Sequence, residues 1–219
     1  MSSIISKYRV FFILYGMFLV LAGSFLLLHS REDGHMILNQ FFFEPLHPFF
    51  VTLTRIGDGL SIVIVVMLLM FWKFKAALFM ALAGMLSGGV TQLLKNFAFP
   101  DVGRPYFYFR YFTEDNIQLV PGLDMHIHNS FPSGHTTAAF SLFTVLMISY
   151  GKPKMAWLFF LAALLVGYSR VYLSQHFLVD VLAGSFIGIL FTLLVHQFIE
   201  KIEAKSQPAW FNKSLLRLK

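Results

Sequence analysis

Two histidines in this sequence stand in settings that could do chemistry. His176 precedes Asp180 by four residues, so on a helix the imidazole and the carboxylate share one face. A carboxylate so placed can keep one imidazole nitrogen protonated and leave the other free as a nucleophile. His135 follows Pro132-Ser133-Gly134 in another part of the chain, where it could protonate a departing oxygen as a general acid.

Cationic residues elsewhere in the chain could bind an anion beside these histidines. Lys95, Arg104 and Arg170 supply positive charge, and the planar fork of arginine matches the oxygens of a phosphate. Ser133 and Gly134 stand where a helix is predicted to start, so free backbone N–H groups and the helix dipole also favour an anion. With the two histidines, this set suffices for phosphoryl transfer without a metal, because the cations can stabilise the developing negative charge.

The composition indicates that these residues are held in a membrane. The chain is 57% hydrophobic and 13% charged, and it contains 27 phenylalanines, whereas soluble domains are typically about 25% charged. The net charge of +6 falls in short clusters between apolar stretches, which does not fit nucleic-acid binding. Cysteine is absent, so disulfides, thiolate metal sites and a thiol nucleophile are excluded.

Six apolar stretches approach the roughly 20 residues that a membrane-spanning helix needs. We therefore predict an all-α integral membrane protein in which residues 1–219 form a single membrane-embedded domain. A short interfacial segment is predicted at residues 34–50, where aromatic residues alternate with polar residues and proline. The predicted spans lie near residues 10–28, 57–72, 76–94, 135–150, 155–168 and 177–199.

The distribution of basic residues predicts the orientation of these spans. Six spans put both termini on one side, and that side carries eleven of the lysines and arginines, against six on the other side. The positive-inside rule therefore predicts that both termini are cytoplasmic. The inner group comprises Lys7, Arg9, Lys73, Lys75, Lys152, Lys154, Lys201, Lys205, Lys213, Arg217 and Lys219, and the outer group Arg31, Arg55, Lys95, Arg104, Arg110 and Arg170. The candidate chemical residues then all meet at the outer membrane face.

At these residues the sequence resembles the type 2 phosphatidic acid phosphatase (PAP2) family, which is related to vanadium haloperoxidases. Two of the three family motifs are intact: Pro132-Ser133-Gly134-His135, and Ser169-Arg170 followed by His176 and Asp180. The first motif, Lys-x6-Arg-Pro, departs from the pattern, because eight residues separate Lys95 from Arg104-Pro105. Either the loop bulges around Pro100 or Lys95 is displaced from its usual role.

The resemblance implies a role for each matched residue. His176 would be the nucleophile, Asp180 its orienting partner and His135 the general acid. The family needs no metal and no other cofactor. The phosphate would be bound by Lys95, Arg104, Ser133, Gly134 and Arg170.

The resemblance also implies a substrate class, a phosphorylated lipid, and membrane lipids as the other partners. Undecaprenyl diphosphate or another bacterial envelope lipid is the preferred substrate, with lipid A, phosphatidylglycerophosphate and phosphatidic acid as alternatives. A lipid phosphotransferase and a non-catalytic lipid binder or transporter are the rival functions. We expect the protein in the bacterial cytoplasmic (inner) membrane with its site on the periplasmic side. The sequence does not indicate an oligomeric state.

Other polar residues receive structural interpretations. Asp58 is predicted to cap the second span, with a smaller chance of lining the site. His126 and His128 form a weak metal-binding pattern, for which a substrate loop or a surface role is preferred. The remaining histidines, His35 among them, are interpreted as caps or interfacial groups.

Overall fold

The chain is built from helices throughout the part that the structure, a computed structural model, describes. That part is residues 2–217; Met1, Leu218 and Lys219 lie outside it, so the last lysine of the inner group is not described. Within it there are no strands. The α-helices are α1 (Ser2–Lys7), α2 (Arg9–Leu28), α3 (Arg31–Asn39), α4 (His47–Thr54), α5 (Gly59–Trp72), α6 (Phe74–Leu93), α7 (Pro105–Tyr111), α8 (Gly134–Tyr150), α9 (Ala156–Tyr172) and α10 (Leu178–Ser206).

Within residues 2–217, four helical segments are long and apolar enough to cross a membrane: Arg9–Leu28, Phe74–Ala98, Pro153–Tyr172 and Leu178–Ser206. A fifth crossing results if Glu44–Gly57 and Gly59–Trp72, bent by 63° at their junction, form one broken span. The remaining predicted span is α8, whose 17 residues reach about 25 Å, less than a hydrocarbon core of roughly 30 Å. The all-α membrane fold is therefore confirmed, whereas the number of six spans stays a prediction.

Helix α8 lies at the centre of the fold and packs against α6, α9 and α10. Its ends are defined locally: the Ser133 hydroxyl accepts a hydrogen bond from the Thr136 amide, and Gly151 ends the helix at φ 76°. Small and hydroxyl-bearing residues let the neighbouring helices approach closely, as is typical in membranes. Thr137 accepts a hydrogen bond from the Thr91 hydroxyl of α6 at 3.1 Å, and Ser141 accepts one from Thr192 of α10 at 2.9 Å.

The predicted interfacial segment contains two short helices, α3 and α4. The α3 residue His35 is 1% exposed, and its Nε2 lies 3.2 Å from the Ser174 hydroxyl. Its interpretation as a cap or interfacial group is therefore wrong, because the ring is enclosed by protein. Burial lowers the pKa of His35 to about 4, so this imidazole is neutral at ordinary pH.

The contact between α8 and α10 leaves no room for a side chain at Gly188. A Cβ atom built at this position would lie 2.6 Å from the Thr137 carbonyl oxygen. We expect Gly188→Ala to lower the free energy of unfolding by about 1–3 kcal/mol, because the two helices must separate. Thermal unfolding in detergent measures the effect. The matched control is Gly16→Ala in α2, where a Cβ meets nothing within 4 Å; equal stability of both variants would contradict the packing described here.

Candidate active site

The candidate chemical residues surround one cavity of about 500 Å3. The cavity lies where the amino-terminal ends of α5 and α8 meet the carboxy-terminal ends of α6 and α9. Its polar wall is formed by Asp58, Lys95, Arg104, His126, Gly134, His135, Arg170 and His176. The topology thus brings together residues that lie more than 100 positions apart in the sequence.

His176 and Asp180 form a buried pair at the back of the cavity, and both are 1% exposed. His176 Nδ1 donates to Asp180 Oδ2 at 3.3 Å. The same carboxylate oxygen accepts the Phe177 amide at 3.0 Å and the Ser130 hydroxyl at 2.5 Å. The carboxylate therefore fixes both the orientation of the imidazole and the nitrogen that carries its proton.

The second nitrogen of His176 is left with its lone pair free. Arg104 Nη1 lies 3.5 Å from His176 Nε2, and a guanidinium can only donate, so Nε2 is the unprotonated nitrogen. Burial, together with the charges of Arg104, Arg170 and Lys95, holds the pKa of His176 well below its usual range. The imidazole is therefore neutral at ordinary pH, which is the state that a nucleophile requires.

Three buried cations line the cavity beside His176. Arg104 Nε donates to the His128 carbonyl at 2.8 Å, and Lys95 Nζ donates to the Asn129 carbonyl at 2.8 Å. Arg170 Nη1 donates to the Thr54 hydroxyl at 2.6 Å, while its buried Nε has no hydrogen-bond partner among the described residues. No carboxylate within salt-bridge distance of these three cations is found in residues 2–217. The cavity wall is therefore suited to an anion.

Lys95 keeps its place in the cavity wall despite the two extra residues before Arg104. The carboxy-terminal end of α6 forms a π-helical turn over Leu94–Ala98, and Asp101 adopts a positive φ of 62° in the turn that follows. The loop around Pro100 thus holds the two extra residues, as the first of the two alternatives expects, and the phosphate-binding role of Lys95 stays a prediction.

His135 faces a carboxylate of its own. Its Nε2 lies 2.6 Å from Asp58 Oδ1, and the two side chains are 30% and 46% exposed. Asp58 makes no side-chain capping hydrogen bond to α5. The preferred interpretation of Asp58 as a helix cap is therefore wrong, and the less favoured one, that it lines the site, is correct.

Ser133 and Gly134 take different positions at the start of α8. Gly134 lies in the cavity wall. Ser133 is fully buried behind it: its hydroxyl caps α8, and its amide donates to the Asp180 carbonyl at 3.0 Å. Phosphate binding by Ser133 stays a prediction, and the structure shows it as a residue that joins α8 to α10.

The sequence profile of the PAP2 superfamily matches residues 72–204. This range holds both intact motifs, the cations Lys95, Arg104 and Arg170, and most of the cavity wall. The chain belongs to the PAP2 superfamily. The three motifs thus meet at one site in this PAP2 protein, as the resemblance implied.

Curated relatives and a solved structure agree with this assignment. The bacitracin transport permease protein BcrC of Bacillus licheniformis is 33% identical over 100 residues (40% of this chain, 48% of the relative). Phosphatidylglycerophosphatase B of Bacillus subtilis is 40% identical over 83 residues (34% of this chain, 41% of the relative). The chain spans less than half the length of these curated relatives. The crystal structure of Aquifex aeolicus LpxE superposes with a TM-score of 0.64 at 30% identity, covering 75% of this chain and 93% of that one.

Sequence reasoning missed several contacts of this PAP2 site. Ser130, which binds the Asp180 carboxylate, and Thr54, which binds Arg170, were not singled out. Gln175 was missed as well: its side-chain carbonyl accepts from Arg104 at 3.2 Å, and its amide donates to the Asp124 carbonyl at 3.0 Å. Ser130 lies five residues before His135, and Gln175 directly precedes His176, so proximity to the motifs was the available signal. No such signal exists for Thr54.

The two histidines of the weak metal-binding pattern have separate positions. His126 lines the cavity, whereas the His128 ring packs against Phe107 with a centroid distance of 5.0 Å. Across residues 2–217, no three or more His, Cys, Asp or Glu side chains are grouped so that they could hold a metal ion. Of the pair, His126 has a position that a substrate-loop role would require, and that role stays a prediction.

The cation cluster predicts that the purified protein binds a tetrahedral oxyanion. We expect inorganic phosphate to raise the thermal unfolding temperature in a concentration-dependent way, because it binds the folded state alone. Arg170→Ala should remove this shift, whereas Arg110→Ala, which removes an exposed cation near the end of α7, should retain it. A phosphate-induced shift that survives in Arg170→Ala would show that the anion binds elsewhere.

Proposed function

We propose that this chain is an integral-membrane lipid phosphatase that transfers phosphate to His176 and then to water. One observation carries the proposal: the neutral Nε2 of His176 faces the same cavity as three cations and a second histidine, His135. A nucleophile, an anion-binding wall and a proton donor are the three components that metal-free phosphoryl transfer requires.

The other wall of the cavity supports a lipid as the substrate. Away from the cations, the cavity continues between α5 and α6 along apolar and small residues, namely Ile62, Val63, Gly84, Met85 and Gly88. Helix α5 exposes large apolar side chains on its outer surface, including Leu60 at 68% and Leu68 at 63%. A lipid entering sideways between α5 and α6 would place its chain on this apolar wall and its phosphate against the cations.

The proposed reaction has two steps. In the first, His176 Nε2 attacks phosphorus, the bond to the leaving oxygen breaks, and His135 gives that oxygen a proton. In the second, His135 takes a proton from water, the water oxygen bonds to phosphorus, and the bond to His176 breaks. Lys95, Arg104 and Arg170 balance the negative charge of the phosphoryl group throughout, so the mechanism uses no metal or other cofactor.

The basic clusters of the sequence support a site on the outer, periplasmic face. The cavity lies at the amino-terminal ends of α5, α8 and α10. The predicted inner lysines lie at the opposite ends of the same helices, at the turn with Lys73 and Lys75, at the turn with Lys152 and Lys154, and after α10. With the positive-inside rule, this separation favours cytoplasmic termini in the bacterial inner membrane.

Undecaprenyl diphosphate is the preferred substrate, and lipid A, phosphatidylglycerophosphate and phosphatidic acid are alternatives. The relatives differ among themselves, since one is named a phosphatidylglycerophosphatase and another a transport permease. The names of the relatives therefore do not select one headgroup, and a substrate panel decides.

The proposal predicts phosphate release by the purified protein in detergent with EDTA present. The panel consists of undecaprenyl diphosphate, lipid A, phosphatidylglycerophosphate and phosphatidic acid. We expect release from at least one of them, and a loss of about 100-fold or more in His176→Ala and His135→Ala. His29→Ala at the end of α2, outside the cavity, should retain the wild-type rate.

Two other outcomes would change the assignment. Loss of phosphate from the substrate lipid only when an acceptor lipid is added, with the phosphoryl group found on the acceptor and not as inorganic phosphate, would indicate a phosphotransferase. No release from any lipid by folded protein would indicate a lipid binder or transporter. Wild-type rates in either histidine variant would contradict the mechanism.

The apolar wall gives a separate prediction about the lipid chain. A Cβ at Gly88 meets nothing within 4 Å, so the side chain of Gly88→Leu would extend into the cavity. We expect this variant to lose about 10-fold or more in kcat/KM for a long-chain lipid phosphate, while p-nitrophenyl phosphate is affected little. Gly89→Leu is the matched control, since Gly89 is exposed on the same helix and a Cβ there also meets nothing. Equal losses in both variants would show that the chain does not lie on this wall.

A further inference from the structure

We propose that Asp58 is a positioning residue that holds His135 for proton transfer, so that the site contains a second carboxylate–histidine pair. The observation is the 2.6 Å distance between Asp58 Oδ1 and His135 Nε2. Asp58 belongs to none of the three motifs that define the resemblance. The inference rests on the proposed phosphatase function and adds a component to its proton-transfer step.

The backbone around Asp58 is shaped to bring its carboxylate to this point. The helical axis bends by 63° between Gly57 and Gly59, and Asp58 itself is extended, with φ −74° and ψ 149°. A Cβ at Gly57 would lie 2.7 Å from the His135 carbonyl oxygen and 2.9 Å from its Cβ. Only glycine therefore permits this turn to pack directly against the first turn of α8.

The same bend supports a second residue of the site. The Thr54 hydroxyl accepts a hydrogen bond from Arg170 Nη1 at 2.6 Å, and Thr54 is 9% exposed. Residues 54–58 thus contact α8 through His135 and α9 through Arg170. A segment with two such contacts belongs to the site itself and does more than begin the next helix.

Asp58 is the carboxylate that faces His135 in an otherwise cationic environment. The groups that act on His135 from other elements are Lys95 at the end of α6, Arg104 in the following loop, Arg170 in α9 and His176 before α10. Burial and the three cations, Lys95, Arg104 and Arg170, oppose a positive charge on the His135 ring. A carboxylate in contact with Nε2 favours the protonated ring that the first step needs.

This arrangement assigns a role to each nitrogen of His135. The Nε2 proton stays in the hydrogen bond to Asp58. Nδ1 gives its proton to the leaving oxygen as the bond from phosphorus to that oxygen breaks, and the ring becomes neutral. When water attacks the phosphohistidine, a proton of the water returns to Nδ1, the water oxygen bonds to phosphorus, and the bond from phosphorus to His176 breaks. Asp58 holds the orientation of the His135 ring in both steps, as Asp180 holds that of His176.

The test compares two substrates that differ in their need for a proton. Phosphatidic acid releases an alkoxide, which requires protonation, whereas p-nitrophenyl phosphate releases a phenolate that leaves readily without it. We expect Asp58→Asn to lower kcat/KM for phosphatidic acid by about 10- to 100-fold and for p-nitrophenyl phosphate by less than about 3-fold. The ratio kcat/KM is used because it reports the first step, in which the leaving group departs.

The pH dependence supplies a readout that a merely structural role would not change. His135 must be protonated in the first step, so activity falls on the alkaline side as it loses its proton. Without the Asp58 charge the ring loses its proton at lower pH, and the alkaline limb of the kcat/KM profile should move down by about one pH unit in Asp58→Asn. Asp115→Asn, which changes an exposed carboxylate in the loop between α7 and α8, should leave rates and profile unchanged.

The controls separate failure of this inference from failure of the proposed function. A thermal unfolding temperature close to that of the wild type, measured for Asp58→Asn and for a second variant, Asp58→Ser, excludes misfolding. Wild-type kcat/KM in both variants, or an equal loss on both substrates with an unchanged pH profile, would overturn the role of Asp58. A wild-type enzyme inactive on both substrates and on the lipid panel would instead overturn the proposed phosphatase function.

Discussion

The carboxylate of Asp180 holds together the elements that form the site. Asp180 is 1% exposed, and its carboxylate accepts hydrogen bonds from the His176 ring, the Phe177 amide and the Ser130 hydroxyl. The backbone carbonyl of Asp180 accepts a hydrogen bond from the Ser133 amide. A buried carboxylate is tolerated only when its oxygens are fully hydrogen-bonded and cations lie nearby. The loop before α8, the loop before α10 and the two helices themselves are therefore fixed relative to one another by the need to satisfy this one group.

The buried cations of the cavity wall must also have their hydrogen bonds satisfied, as the buried Asp180 carboxylate does. Lys95 and Arg104 are each less than 9% exposed. Lys95 donates to the carbonyl group of Asn129, and Arg104 donates to that of His128. Carbonyl dipoles satisfy the hydrogens of these cations but do not neutralise their charge. The wall therefore attracts an anion, and its low exposure strengthens that attraction because solvent screening is weak. The hydrogen bonds that Lys95 and Arg104 donate to the loop carbonyls also keep these side chains oriented before an anion binds.

Close helix packing makes this arrangement possible. Cβ atoms at Gly184 and Gly188 of α10 would lie 2.5 and 2.6 Å from carbonyl oxygens of Ser133 and Thr137, and Gly57 contacts His135 in the same way. Helices in lipid associate through such contacts because apolar burial gives no driving force between them. The glycines thus set the spacing between the motif residues, and the chemistry of the site depends on them although none carries a functional group.

The sequence by itself determined the features that depend on residues close together in the chain. The pairing of His176 with Asp180 four residues later, the start of α8 at Gly134 and the apolar runs of the helices depend on near neighbours, and all were predictable, although α10 begins at Leu178 and leaves His176 just outside the helix. The alternation of the predicted spans also predicted that the motifs would meet, and the structure brings them together around one cavity. The tertiary structure alone decided which further residues complete the site, because their contacts join distant parts of the chain. Thr54 contacts Arg170 across 116 positions of the chain, and Ser130 contacts Asp180 across 50. The contact of Asp58 with His135, in place of the helix cap that the sequence predicted, is likewise visible only in the packed fold. Pairing over such separations depends on helix packing and bends, for which a linear pattern contains no signal.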